Sequence, residues 1–224
     1  MLPTSLNSAV SGKNISAKEH WESVYSSRLI EGVSWFRPHL EISFAAMVRA
    51  IAAQSLSPAT ASILDVGGGA STLIDDLLEY GCRSVTVLDI APSALEATRL
   101  RLGTQAALVH WLCADILDPA TALPTVNIWH DRAVFHFLVE PPDRERYLSA
   151  LRASLRIGGH LVLSTFGPEG PERCSGLPTR RYSHSSLARE LGAGFTLLDG
   201  HTSIHQTPSG ATQQFTTAHL RRNS

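Results

Sequence analysis

The chain has 224 residues, 43% of them apolar and 17% charged, and its 19 Lys and Arg nearly balance 20 Asp and Glu. That length suits one α/β domain with a full core rather than two. The charge balance leaves no basic excess for nucleic acid or an anionic membrane, so neither is expected as a partner. Cys82, Cys113 and Cys174 stand far apart with no C-x-x-C pair, which suits a reducing compartment rather than a disulfide scaffold. Without a basic-then-apolar leader or an apolar run of membrane-spanning length, the expectation is a cytoplasmic, single-domain protein.

Residues 1–15, rich in Ser, Asn and small residues, are expected to form a flexible segment ahead of one domain over 16–224. Ser16 can cap a helix that places Trp21, Val24 and Tyr25 on one face. Val33-Ser34-Trp35-Phe36-Arg37 interrupts that pattern, and Pro38 suits the first turn of a further helix over about 39–54. Trp21 and Tyr25 read most simply as an anchor packed on the sheet.

Ile63, Leu64 and Val66 read as a short buried strand, followed by Gly67, Gly68 and Gly69 and a helix with Leu73, Ile74, Leu77 and Leu78 on one face. Glycines at such a turn let the backbone approach a ligand closely, and the helix start adds free N–H groups. Val85-Thr86-Val87-Leu88 makes the next strand and ends at Asp89, where a nucleotide-binding fold of this kind holds an acid against ribose hydroxyls. Pro92 begins a helix closed by Gly103, and Leu108-Val109-His110-Trp111-Leu112 is the third strand, leading into Ala114-Asp115-Ile116.

These stretches carry a resemblance. Leu64-Asp65-Val66-Gly67-Gly68-Gly69 resembles the first motif of the class I S-adenosylmethionine (SAM)-dependent methyltransferases, Asp89 matches their ribose-binding acid, and Ala114-Asp115-Ile116 resembles their adenine-contacting motif. Ser71 stands where the family often keeps a third glycine. The resemblance implies SAM as cofactor and S-adenosylhomocysteine (SAH) as product. It implies a cofactor site of Asp65, Gly67, Gly68, Gly69, Asp89, Ile90, Asp115 and Ile116, with Trp35 closing over it. A dinucleotide fingerprint fits worse, because it needs Gly or Ala at Thr72. The family often covers its cofactor with N-terminal helices, which makes 16–55 a helical cap, with Trp35 and Phe36 the better lid residues.

Val126-Asn127-Ile128-Trp129-His130 reads as the fourth strand, continuing into Asp131-Arg132-Ala133-Val134-Phe135-His136. Asp143 is expected to begin a helix with Tyr147, Leu148, Leu151 and Leu155 on one face, and Gly158-Gly159 to turn into a fifth strand over His160–Phe166. A Pro/Gly-rich loop runs to about Arg181, a short helix spans Ser183–Leu191, and the tail reads as a hairpin turning at Pro208-Ser209-Gly210. Five β–α alternations closed by a hairpin give the expected fold class: α/β, doubly wound, a mostly parallel seven-stranded sheet with a C-terminal antiparallel hairpin and helices on both faces.

Ligands of open α/β sheets bind beyond the strands' carboxyl ends, so chemistry is expected after each parallel strand. Methyl transfer mainly requires a positioned, deprotonated acceptor. His136 and His130 are candidate bases and Asp131 a candidate for positioning acceptor or cofactor; equally, alternate residues here could face the core. Phe36, Arg132, Arg173, Cys174 and Tyr182 are the candidate substrate contacts, the arginines suiting a carboxylate or phosphate. His130, His136, Cys174 and His184 match no metal-ligand spacing, so no metal is expected.

The leading reading is methyl transfer to a small-molecule acceptor, a thiol or a carboxylate-bearing metabolite among the candidates. Trp21-Glu22-x-x-Tyr25 resembles several small-molecule methyltransferases. Against it, Gly69-Ala70-Ser71-Thr72-Leu73 resembles a protein-lysine-methylating branch, in which an acid followed by lysine and glycine stands where this chain has Asp131-Arg132-Ala133. A silent SAM-binding regulatory module is the reading from another class.

Overall fold

The computed structural model describes residues 15–27 and 32–224. Apart from Ile15, the expected flexible segment lies outside these residues. Ser16 caps α1 (Ala17–Ser27): its Oγ accepts the Glu19 N–H at 3.2 Å while the Glu19 carboxylate accepts the Ser16 N–H at 2.9 Å. Two free helix-start donors are thus satisfied reciprocally. α2 is Glu41–Ala53, shorter than expected, because Leu40 is still non-helical and Pro38 lies ahead of the helix rather than in its first turn.

β1 (Ser62–Val66), α3 (Leu73–Glu79), β2 (Ser84–Asp89), α4 (Pro92–Leu102) and β3 (Val109–Cys113) follow in alternation. The crossover to β4 (Val126–Arg132) breaks the strict alternation, since it contains no helix. Pro119 and Pro124 interrupt that stretch, and the Asp115 and Asp118 side chains accept the N–H groups of Leu117 (2.8 Å) and Ala120 (2.9 Å), closing turns instead. α5 (Pro141–Ser154) opens on two prolines rather than at Asp143. β5 (Leu155–Phe166) starts at Leu155, not His160; Leu155 is extended (φ −74°, ψ 126°), so it leaves the helix face on which its spacing put it. The loop beyond holds a small hairpin, β6 (Arg173–Cys174) with β7 (Leu177–Pro178), and then α6 (His184–Leu191), capped by Ser183. β8 (Phe195–Gln206) and β9 (Thr212–Arg222) form the final hairpin.

The seven strands lie in the order β3-β2-β1-β4-β5-β9-β8, with the first five parallel and β9 antiparallel to both β5 and β8. Alternate residues of β1 feed two cores. Leu64 and Val66 pack with Tyr147, Leu151 and Leu187 from α5 and α6, whereas Ile63 packs with Met47, Leu77 and Leu95 from α2, α3 and α4. Parallel strands buried on both faces must be apolar throughout, which is why their sequences read as continuous hydrophobic runs. β2 lies on one side of β1 and β4 on the other, so the chain reverses direction across the sheet there and leaves a crevice at the carboxyl ends.

Just past β4, Ala133 takes φ +75°, the left-handed region, with its N–H on Ser164 O at 2.9 Å. This conformation costs a side-chain-bearing residue about 1–2 kcal/mol. Gly would lose part of that gain to unfolded-state entropy. Ala133→Gly is therefore expected to stabilise the protein by about 0.5–1 kcal/mol in urea unfolding. Destabilisation would mean that the methyl group's packing outweighs the backbone strain.

Candidate active site

The crevice opens into a cavity of ≈ 280 Å³ whose floor is the glycine turn. The Leu88 carbonyl accepts both the Gly67 N–H (2.7 Å) and the Gly68 N–H (3.2 Å), which folds the turn against the end of β2. Gly67 has φ +69°, and a Cβ there would overlap Val134 Cγ2. A Cβ on Gly68 would overlap the Asp65 carboxylate. Gly67→Ala should therefore cost about 1–3 kcal/mol of stability and much of the ligand affinity. Thermal unfolding with and without SAH reads both, and a wild-type response would show that the turn need not be bare. Ser71, at the replaced glycine, accepts the Leu73 N–H on its Oγ at 3.1 Å and so helps start α3.

Asp65 is buried, and its Oδ1 meets His130 Nδ1 at 2.6 Å while His130 Nε2 meets Ser43 Oγ at 2.9 Å. Both ring nitrogens of His130 are therefore engaged. It orients Asp65 and cannot also take a proton from an acceptor. Asp65 Oδ2 has no partner among the described residues and is buried beside Gly68. A bare carboxylate oxygen at a ligand cavity is a place for a cationic donor. Asp89 accepts the Gly69 N–H on Oδ2 (3.1 Å) and the Ala91 N–H on Oδ1 (2.9 Å), and burial pushes its pKa up to about 6 against those bonds. Ile90, Asp115 and Ile116 line the cavity beyond it. Gly69 does not line it. Its N–H holds Asp89 and its carbonyl accepts from Thr98 Oγ1 at 2.5 Å.

Asp131 also lies off the cavity wall, although sequence made it a candidate for handling acceptor or cofactor. Its buried carboxylate accepts Tyr147 Oη–H at 2.6 Å, the Val134 N–H at 2.9 Å and the Phe135 N–H at 3.1 Å. Tyr147 Oη in turn accepts from Trp129 Nε1 at 2.9 Å. The carboxylate thus caps the turn Phe135–Phe137, which carries His136. Two substrate candidates fall elsewhere. Tyr182 is buried in the core against Phe135 (ring centroids 5.6 Å apart), and Arg173 is exposed with its guanidinium on Gly176 O, neither on the cavity wall.

Much of the cavity wall is aromatic, from Trp21 and Tyr25, which pack on Ala91 and Ala94 beside Asp89, to the cluster of Trp35, Phe137, Phe166 and Phe215. Trp21 of α1 packs edge-on to Trp35 (5.9 Å) and Phe137 (5.0 Å), Tyr25 packs on Trp35 (6.1 Å), and Phe36, Phe166 and Phe215 complete the walls. The turn bearing Trp35 is tied down from β8, where His205 Nε2 meets Ser34 O at 2.8 Å. Cys174 is buried 3.9 Å from Ser34 Oγ, its thiol pushed up by burial. Arg132 donates from Nη1 to Trp35 O at 3.1 Å and lies over the Phe215 ring at 4.7 Å. Burial and nearby Arg37 lower its pKa to about 10, so it stays charged at neutral pH.

His136 is fully buried, with its ring stacked on Phe166 (4.3 Å) and its Nδ1 accepting the Phe166 N–H at 3.1 Å. Burial and the Arg132 charge push its pKa down to about 3. A neutral ring that accepts at Nδ1 carries its proton on Nε2. Nε2 has no protein partner among the described residues. The side chain read as a base is built as a hydrogen-bond donor. Sequence reading missed Ser43, Tyr147, Phe166 and Phe215. Of these, only Phe166, at the carboxyl end of the fifth strand, carried a positional signal.

Residues 64–161 match the family model for a methyltransferase domain. EEF1A lysine methyltransferase 2 of Mus musculus is 24% identical over 213 residues, spanning 85% of this chain and 86% of that protein. Malonyl-[acyl-carrier protein] O-methyltransferase of Anoxybacillus flavithermus is 33% identical over 107 residues, 47% of this chain and 39% of that protein. The solved structure of a SAM-dependent methyltransferase from Anabaena variabilis superposes with a TM-score of 0.68 at 17% identity, over 94% of this chain and 96% of that one, and shares the fold. The residues at the glycine turn suit SAM: an unpartnered acidic oxygen at Asp65, room kept by two side-chain-free positions, and a carboxylate at the end of β2.

Proposed function

This chain is a SAM-dependent methyltransferase, and we propose that its acceptor is a small molecule rather than a protein side chain. The observation that carries the proposal is the aromatic part of the cavity wall formed by Trp35, Phe137, Phe166 and Phe215, with Arg132 as its fixed charge. A lysine ammonium brought within ~5 Å of that guanidinium would be repelled by about 3 kcal/mol at an effective dielectric constant of ~20. Of the acids that line the cavity, Asp89 holds the turn N–H groups, Asp115 accepts from Leu117 N and Asp143 pairs with Arg146, while the one open oxygen of Asp65 lies at the glycine turn beside Gly68.

Within this proposal each cofactor-side residue has a role fitted to its chemistry. Asp89 accepts ribose hydroxyls, Asp65 Oδ2 accepts the ammonium of the amino-acid portion, Gly67 and Gly68 admit close approach, and Asp115 with Ile116 frames the adenine. When bound, SAM supplies a methyl group on a sulfonium sulfur, already activated toward a nucleophile. The protein's remaining work is to exclude water and to hold the acceptor in line. Residues 16–55 act as the cap, with Trp35 and Phe36 closing the acceptor end. Asp131, through the turn it caps, keeps His136 in place.

A protein-lysine acceptor is the rival, favoured by the 24% identity that runs across most of the chain to EEF1A lysine methyltransferase 2. The separating experiment measures SAH release with a panel of small thiols and carboxylic acids, then with purified EEF1A and lysine peptides. Turnover with small acceptors and none with protein is the expected result. Turnover with protein alone would sink the proposal, and SAH binding with no turnover on any acceptor would favour a regulatory module.

A further inference from the structure

We infer that the acceptor's nucleophile is a carboxylate oxygen, held by Arg132 and His136 Nε2–H, and that the product is a methyl ester. This rests on the small-molecule reading and narrows it to one chemical class.

Two features of the acceptor end lead there. The first is what it offers to hold a ligand. Among the described residues, Arg132 uses one N–H on Trp35 O, lies over the Phe215 ring, has no carboxylate within 4.0 Å and makes no other side-chain hydrogen bond. A guanidinium presents a planar fork that matches a carboxylate's two oxygens. His136 adds a buried N–H without a partner, and Arg132 lies close enough to depress its basicity. Both groups donate and neither can accept. A bound ammonium would leave them unsatisfied and a lone hydroxyl oxygen would meet only part of them, at a cost that a carboxylate with two acceptor oxygens avoids.

The second feature is that, among the described residues, neither histidine nor the thiol at the cavity is a free base. His130 is bonded at both ring nitrogens, and His136 has its only lone pair on the Phe166 N–H. The Cys174 thiol is buried and held protonated by that burial. An alcohol, phenol or ammonium acceptor must lose a proton on the way to product, and none of these three groups is set to receive it. A carboxylate needs no such step. As its oxygen forms the O–CH3 bond, the S–CH3 bond breaks and the electron pair returns to sulfur. The negative carboxylate and positive sulfonium become a neutral ester and a neutral thioether, and no proton moves. The walls of Trp35, Phe137, Phe166 and Phe215 fit an apolar or aromatic body behind the carboxylate.

The test has a binding arm and a product arm. Calorimetry on the SAH-saturated protein compares benzoate, cinnamate and octanoate with their primary amides. At least one acid should bind about tenfold more tightly than its amide. Arg132→Gln should remove that preference and leave SAH affinity within about twofold; the acid-to-amide comparison on the unaltered protein stands even if the variant folds poorly. In the product arm, the methyl group transferred to the best-bound acid should be released as methanol by mild alkali. The inference is overturned if amides bind as well as acids, if no acid in the panel binds, or if the methyl is alkali-stable. It is overturned equally if Arg132→Gln weakens SAH itself, since the guanidinium would then serve the cofactor. An alkali-stable methyl on a neutral small acceptor leaves the small-molecule reading standing. Transfer to protein lysine alone removes both.

Discussion

Asp131→Ala is expected to cost about 3–5 kcal/mol of stability, the largest loss predicted for any single side chain near the site. Its carboxylate is the common acceptor for the Tyr147 hydroxyl of α5 and for the N–H groups of Val134 and Phe135 in the turn that follows β4. Removing it strands three donors, each costing about 1–3 kcal/mol when left unpaired in the core, with partial relief as the turn relaxes. Urea unfolding should show a lower midpoint at an unchanged slope. Asp131→Asn, which keeps an acceptor oxygen for the turn, should lose only about 1–2 kcal/mol. Equal losses in the two variants would mean that the negative charge, rather than the bonds, holds the turn. Because the turn carries His136, the Ala variant should also lose acceptor affinity more than SAH affinity.

Asp89→Ala should weaken SAM binding by roughly 100-fold, the equivalent of two charge-assisted hydrogen bonds of about 1.5 kcal/mol each. Substitution by Ala also frees the Gly69 and Ala91 N–H groups that hold the turn. Asp89→Asn separates the two effects by keeping an oxygen for one of them. The pH dependence has a definite sign. Burial raises the Asp89 carboxyl to about 6 in the free protein, and only the ionised form accepts from both ribose hydroxyls. SAM affinity should therefore be full above pH 7 and fall as pH drops through about 6. Affinity that is flat from pH 8 to 5 would mean that Asp89 does not meet the ribose.

The glycine-turn side of the candidate site was legible in sequence as strand-end positions because its parts are local. Asp65, Gly67, Gly68, Asp89 and Asp115 each stand at the end of a recognisable apolar run, and the sheet brings strand ends together. The acceptor half was not, because its chemistry depends on partners far along the chain. His130 and His136 look alike in sequence. Ser43, on α2, makes the first a clamp for Asp65, and the Phe166 N–H, at the end of β5, makes the second a donor. Asp131 likewise takes its role from Tyr147 on α5. Element boundaries slipped where local spacing competes with pairing. Leu155 fits the apolar face of α5, yet it pairs with Val126 and opens β5. Between β3 and β4, where the sequence reading assigned no helix, two prolines and two aspartate-closed turns shape the crossover.

The most direct test of the account is calorimetric titration of the purified protein with SAH and, separately, with NAD. Saturable one-site binding of SAH with no response to NAD is the predicted result, since the glycine turn and Asp65 Oδ2 suit an amino-acid ammonium rather than a pyrophosphate. Binding of NAD, or no binding of SAH, would contradict the cofactor assignment and, with it, the methyl transfer built upon it.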